Sequence, residues 1–200
     1  MARVALVDAA PLAALAVALD LEAIADGGVR LGAIDGVPVA MVPRGAEGVR
    51  AARALGAEIL LFAVRARPLR SAPATVVGAI SDHIGLFVPN PLIGPNQDDV
   101  GPRFPDLSDL YASSLRELAR RQASVLELSF SEGVYGALPD PSRGTAEQYR
   151  MLGLTADWVG QGGVAEGIVA RHAGMRVLGL VALDDGGGVT ALARELLPRL

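Results

Sequence analysis

The chain has 200 residues, 18 Lys or Arg against 22 Asp or Glu, a formal net charge of −4 and no cysteine. That length suits one domain with a core of its own and no need of a disulfide or metal staple. The charge argues against a nucleic-acid or anionic-membrane surface, and the missing cysteines exclude thiol catalysis and thiolate metal sites. Apolar residues make up 51% of the chain, but in short runs that never reach the ~18–20 residues of a membrane span. The opening Met-Ala-Arg-Val-Ala-Leu-Val-Asp is interrupted too soon for a signal peptide, so a cytoplasmic protein is expected.

Elements follow from periodicity. Residues 3–7 form a compact aliphatic run suited to a buried strand. Pro11 then stands where a first helical turn tolerates proline, and Leu12, Leu15, Leu19 and Ile24 space out a helical face closed by Gly27 and Gly28. Strands are predicted at 37–42, 59–64 and 75–80, with a short helix over 48–55 between the first two. From Phe87 to Pro105 the composition turns to Pro, Gly and Asn with interspersed Phe, Leu and Ile, which predicts a long ordered loop. Residues 109–122 read as an amphipathic helix, and 124–137 as a strand or strand pair. Thr145 with Gln148 makes a capping box that opens a helix through Leu152. A strand over 156–160, a helix over 164–172, a strand over 175–183 and a helix over 189–197 complete the chain. Alternation of this kind predicts a single α/β domain spanning 1–200, layered around a parallel or mixed sheet.

In open α/β sheets ligands gather at the carboxyl ends of strands. Here that directs attention to Asp8, to 63–67, 81–83, 135–143 and 160–163, and to 184–188. Gly160-Gln161-Gly162-Gly163 lacks the Lys-Ser/Thr pair of a nucleotide P-loop and reads as a tight turn. His83 and His172 are the only histidines, and a capping or buried hydrogen-bonded role is expected of each. Ser81-Asp82-His83 is not a triad, since no nucleophile elbow accompanies it. Two histidines without a paired acidic cluster predict no metal site.

Several segments nevertheless stand in a distinctive order. Ser81-Asp82-His83-Ile84 is followed by Asn90-Pro91-Leu92-Ile93-Gly94-Pro95-Asn96, then by residues 101–109, Gly-Pro-Arg-Phe-Pro-Asp-Leu-Ser-Asp. Glu132-Gly133-Val134-Tyr135 precedes Pro141-Ser142 and Thr145, and Val164-Ala165-Glu166 leads into residues 168–177, Ile-Val-Ala-Arg-His-Ala-Gly-Met-Arg-Val. Across about residues 37–183 the chain resembles the trimeric purine nucleoside phosphorylases, as a divergent and shortened member.

The resemblance implies a phosphorylase/hydrolase-like three-layer α/β/α sandwich with a central mixed sheet, a homotrimer, and no cofactor beyond phosphate as co-substrate. It implies cleavage of a purine nucleoside's N-glycosidic bond by phosphate, through positioning and electrostatics. Arg44 keeps the phosphate-binding guanidinium, Tyr135 its place beside the base pocket, and Phe104 the position that reaches into a neighbouring subunit's ribose site. Other family positions have changed. Asp8-Ala9-Ala10-Pro11 replaces a Gly-Ser-Gly phosphate loop, Arg143-Gly144 replaces Phe-Glu at the base, and Gln161-Gly162 replaces Met-Ser under the ribose. The base-contacting Asn aligns with Asp185, or with Asp184 if the register slips, and a protonated Asp could donate to purine N7. At Ala63-Val64-Arg65-Ala66-Arg67 the new arginines form either another anion site or a solvated basic turn. Three functions follow: a nucleoside phosphorylase of altered or weak activity, a phosphate-independent nucleoside hydrolase, or a binding homologue for a nucleoside or nucleobase. Neither nucleic acid nor membrane is an expected partner.

Overall fold

A computed structural model describes residues 2–7, 9–70 and 76–200. Asp8 and Thr75, on which two of the expectations above fall, lie outside the described residues. The strands are β1 (Val4–Val7), β2 (Asp20–Ile24), β3 (Arg30–Ile34), β4 (Val37–Val42), β5 (Ile59–Pro68), β6 (Val77–Ile84), β7 (Phe130–Ala137), β8 (Trp158–Gly160) and β9 (Arg176–Ala182). The helices are α1 (Ala13–Val17), α2 (Ala46–Ala54), α3 (Ser113–Val125), α4 (Ala146–Leu152), α5 (Val164–His172) and α6 (Gly187–Leu196).

The strands form one mixed sheet in the order β2-β3-β4-β1-β5-β8-β7-β6-β9, and β5 also pairs with β9. Five strands therefore close into a ring, β5-β8-β7-β6-β9, while β1, β4, β3 and β2 extend the sheet outward. The stretch β4-β1-β5-β9 is parallel throughout, and its strands are aliphatic on both faces, as helices packed on both sides require. One face carries Leu6, Met41, Leu61, Leu178 and Leu180, packed with Leu115 of α3 and Leu192 and Leu196 of α6. The other carries Val7, Val42, Phe62 and Val177, packed with Val49 of α2 and Val164 and Val169 of α5. This is the three-layer α/β/α sandwich with a central mixed sheet that the family resemblance implies.

One expected helix is absent. Leu12, Leu15, Leu19 and Ile24 do not share a helical face: a 3-10 turn at Ala10–Leu12 runs into the five-residue α1, and the chain then extends as β2. Leu12 and Leu15 are buried, so the periodicity holds over the first turns. Beyond them Asp20–Ile24 pairs antiparallel with β3, and all five residues of β2 are exposed at the sheet edge. Tertiary pairing across Asp26-Gly27-Gly28 outweighs the helical spacing. The β3–β4 hairpin turns on Asp35 and Gly36, whose φ values of 51° and 78° are those a two-residue turn between twisted strands demands. The segment 124–137 gives one strand rather than a pair, because its first residues finish α3. The Thr145–Gln148 capping box is present with both reciprocal hydrogen bonds.

Candidate functional site

Where β1, β4 and β5 end side by side, their carboxyl ends open on a cavity of about 260 Å³. Val7 and the Ala9–Pro11 turn, Arg44 beyond β4, and Phe62 to Arg65 of β5 form one part of its wall. Pro141, Gln161, Gly163 and Glu166 form the remainder. The placement is the one parallel strands favour for ligands.

The β8–α5 connection explains why this wall needs two consecutive glycines. Gly162 and Gly163 have φ of 80° and 82°, a left-handed backbone that costs other residues energy. A Cβ on Gly162 would lie 2.3 Å from Nη2 of Arg44, and one on Gly163 would lie 2.4 Å from Cε2 of Phe62. The loop thus lies between the Arg44 guanidinium and the Phe62 ring: the buried ring leaves no room at Gly163, and a side chain on Gly162 would displace the arginine tip.

Arg44 itself is exposed, and among the described residues no hydrogen bond or ion pair satisfies its guanidinium. Its loop is anchored from behind: Gly45 N–H donates to Oε1 of Glu166 at 3.0 Å. Glu166, in the first turn of α5, is only 5% exposed. A buried carboxylate that receives a backbone N–H fixes the loop while leaving the arginine free. Tyr135 is fully buried behind the β8–α5 loop, and its hydroxyl donates to the Gly162 carbonyl at 3.4 Å. Burial pushes the Tyr135 phenol well above its usual range, Arg44 pulls it down and Glu166 pushes it further up. The phenol therefore stays protonated at neutral pH and supports the loop as a donor.

The other site candidates divide between this cavity and elsewhere. Gln161 lines it and donates from Nε2 to the Pro139 carbonyl at 2.5 Å. Arg65 lines it too, donating to the Asp184 carbonyl at 3.3 Å and to the Asp185 carbonyl. Arg67 instead donates to the Tyr149 hydroxyl at 2.6 Å and lies over its ring, so it braces α4. Gly144 sits under that same ring, where a Cβ would come within 2.8 Å of Tyr149. Arg143 is exposed in the 3-10 turn Pro141–Arg143 and lines neither this cavity nor the next. Asp185 lines a second cavity of about 460 Å³, alongside Ala10, Pro11, Thr190 and Arg194. Its Oδ1 accepts from Gly187 N–H at 3.0 Å, while Asp184 accepts from the N–H groups of Gly186 and Gly188 and so caps α6. Phe104 is 87% exposed, on the segment between β6 and α3.

Both histidines are hydrogen-bonded packing residues. His83 Nδ1 lies 3.2 Å from the Tyr111 hydroxyl, and His172, 3% exposed, has Nε2 3.2 Å from Oδ1 of Asn96. Among the described residues no cluster of His, Asp or Glu could hold a metal ion, and no helix is long and apolar enough to cross a membrane. Val7, Phe62 and Glu166 were the wall residues that sequence reasoning did not single out for the site. A lone acid between Ala165 and Gly167 in an otherwise apolar helix start is the signal that could have found Glu166.

An anchored loop carrying an arginine with no described partner, over the ends of parallel strands, defines the class: an α/β protein with a cavity where such sheets bind small molecules. Comparison with known proteins makes this specific. The sequence profile of the phosphorylase superfamily matches residues 71–196. The Bacillus subtilis purine nucleoside phosphorylase 1 is 42% identical over 139 residues, covering 68% of this chain and 51% of that protein. The Mycobacterium tuberculosis purine nucleoside phosphorylase is 45% identical over 147 residues, 71% of this chain and 50% of that protein. A crystal structure of the Schistosoma mansoni purine nucleoside phosphorylase, complexed with a monocyclic inhibitor, superposes with a TM-score of 0.88 at 26% identity, covering 100% of this chain and 90% of that one. The chain belongs to the phosphorylase superfamily, as a member of its nucleoside phosphorylase family. It spans about half the length of the curated relatives it matches.

Proposed function

We propose that this protein is a purine nucleoside phosphorylase-like enzyme of altered or weak activity, working as a cytoplasmic homotrimer. A phosphate oxygen forms a bond to C1′ of the sugar as the C1′–N bond to the purine breaks. The electron pair leaves with the base, which takes up a proton, and the products are a sugar 1-phosphate and a free purine. Phosphate rests on Arg44, whose loop Glu166 holds in place, and Gln161 faces the ligand beside it. The two cavities share Ala10 and Pro11, so a ligand spanning both would bring its leaving group to Asp185. No covalent intermediate is required, and the acceleration comes from placing an anion against a sugar that gains positive character.

The observation that carries this reading is the Arg44 guanidinium, without a partner among the described residues, on a cavity at the carboxyl ends of parallel strands. The trimer rests on the exposed apolar side chains of Leu86, Ile93 and Phe104, all on the segment between β6 and α3. A second reading, a nucleobase- or ligand-binding homologue without turnover, is favoured by one arrangement: Arg143 and Asp185 line no part of the Arg44 cavity.

The test is base release from a panel of purine nucleosides, with and without phosphate, followed by chromatography. Release that requires phosphate is the expected outcome. Release without phosphate would make the protein a hydrolase, and no release from folded protein would leave the binding reading.

A further inference from the structure

We infer that Arg65 determines what this cavity accepts: its side chain walls off the space a nucleobase needs, and the site takes small anions, phosphate and pentose phosphates, ahead of intact nucleosides. The inference rests on the reading of Arg44 as the anion-holding residue.

Arg65 is placed as a partition. Its guanidinium donates to the carbonyls of Asp184 and Asp185 at the end of β9. A Cβ built on Gly186 would lie 3.7 Å from Nη2 of Arg65 and 3.4 Å from Cα of Pro11. Arg65, Gly186 and Pro11 therefore meet at one point, and Pro11 is one of the residues shared by the 260 Å³ and 460 Å³ cavities. The Thr190 hydroxyl holds Pro11 there through a 2.9 Å hydrogen bond to its carbonyl. What remains on the Arg44 side, about 260 Å³, falls below the roughly 300–1,000 Å³ typical of sites that enclose a drug-sized ligand.

Charge points the same way. Among the described residues both bonds made by Arg65 go to neutral carbonyls, so they hold the guanidinium in place without neutralising it, and it keeps donors to spare. With Arg44, two such groups line the cavity, and among the described residues its one carboxylate, Glu166, already accepts from Gly45 N–H. Guanidinium groups with donors to spare, one of them held in place, select phosphate oxygens. A nucleoside brings no negative charge and needs the space the Arg65 side chain fills. Its entry competes with the two carbonyl bonds, which places the altered activity at this residue.

The experiment is calorimetric titration of the full chain with inorganic phosphate, ribose 1-phosphate and inosine, for the unaltered protein and for Arg65→Ala, Arg65→Met and Arg44→Ala, each first shown to melt cooperatively. The unaltered protein should bind ribose 1-phosphate about tenfold or more tighter than inosine, and Arg65→Ala should gain about tenfold in inosine affinity while losing ribose 1-phosphate affinity. Arg65→Met, which keeps the stem and removes the donors, should lose ribose 1-phosphate affinity without the full gain for inosine. Unchanged or weaker inosine binding by Arg65→Ala would overturn the role of Arg65, even with Arg44→Ala abolishing phosphate binding. Equal phosphate binding by the unaltered protein and Arg44→Ala would instead remove the reading of Arg44 beneath it.

Discussion

The cavity is assembled from two regions whose relation to known phosphorylases differs. Gln161, Gly163 and Glu166 lie within residues 71–196, the span matched by the superfamily profile. Phe62 and Arg65 of β5 and Arg44 just beyond β4 come from the preceding part of the chain, outside that span. Yet the structural superposition on the Schistosoma mansoni enzyme covers the entire chain. The fold is thus shared further than the sequence profile reaches. Burial accounts for this: strand β1 and the first six residues of β5 are wholly buried, and many aliphatic sequences fill such positions equally well. A wall residue that touches ligand has no such freedom, and a change there alters chemistry while the packing beneath stays the same.

Phe62 joins the two regions and offers the strongest way to break the comparison. It is 1% exposed, packs under Gly163, and meets Tyr111 edge-on at 6.3 Å between ring centroids. Phe62→Ala should cost about 3–5 kcal/mol in urea unfolding, through lost burial and the cavity left behind. A loss below about 1 kcal/mol would mean that the β8–α5 loop does not depend on the first region for support. Arg44→Ala should do the reverse: stability unchanged within about 0.5 kcal/mol, because no described partner is lost, but phosphate-dependent base release reduced about 10²–10³-fold. An equal loss of stability and activity would show that Arg44 holds the fold and not the phosphate.

The same division governs what could be read from the residues. Strands and helices with one strong period, such as Val37–Val42 and Val164–His172, agree with the structure to the residue, and so does the capping box at Thr145. Leu12 to Ile24 misleads because its spacing is helical while its fate is set by β3, a partner that no local pattern announces. At the site, Arg44 and Gln161 do meet at one cavity. Asp185 sits one turn away on the far side of Pro11, because Asp184 and Asp185 spend their carboxylates on the backbone that starts α6. Exposure of Arg143 and Phe104 is likewise a tertiary result, since nothing in Pro141–Arg143 or in residues 101–109 fixes which way a side chain turns.

Gly162 sharpens the contact between the regions. Gly162→Ala forces a left-handed backbone on a residue with a Cβ, at a cost of about 1–2 kcal/mol, and drives that Cβ against Arg44, 2.3 Å away. Phosphate affinity should fall along with stability, and the paired loss separates this variant from Arg44→Ala. Retained affinity in calorimetry would mean the arginine swings clear without consequence. His83 provides a check confined to the second region. Burial holds its pKa below the usual 6.5, against the opposing pull of Asp82. Between the lowered folded value and 6.5 the unfolded chain binds more protons, so stability rises with pH. It should be complete above about pH 7 and decline as the pH falls below 6.5, and His83→Gln should flatten that slope in thermal melts across pH 5–8.

The smallest effect belongs to the outer edge of the first region. Leu21 and Ile24 of β2 are 54% and 69% exposed, and the strand hydrogen-bonds only to β3. Replacing both by Thr keeps the extended preference of the strand and gives up little burial, so unfolding free energy should stay within about 0.5 kcal/mol of the starting value. The contrast with Phe62 is then a difference of burial between two apolar sites in one sheet, with chain topology held constant. Were the Thr pair to cost more than about 1.5 kcal/mol, or to shift the species seen by light scattering, the β2 edge would be covered in solution. An uncovered aliphatic edge strand is an invitation to pairing, and its cost would then join the ledger of the assembled protein and not that of the single chain.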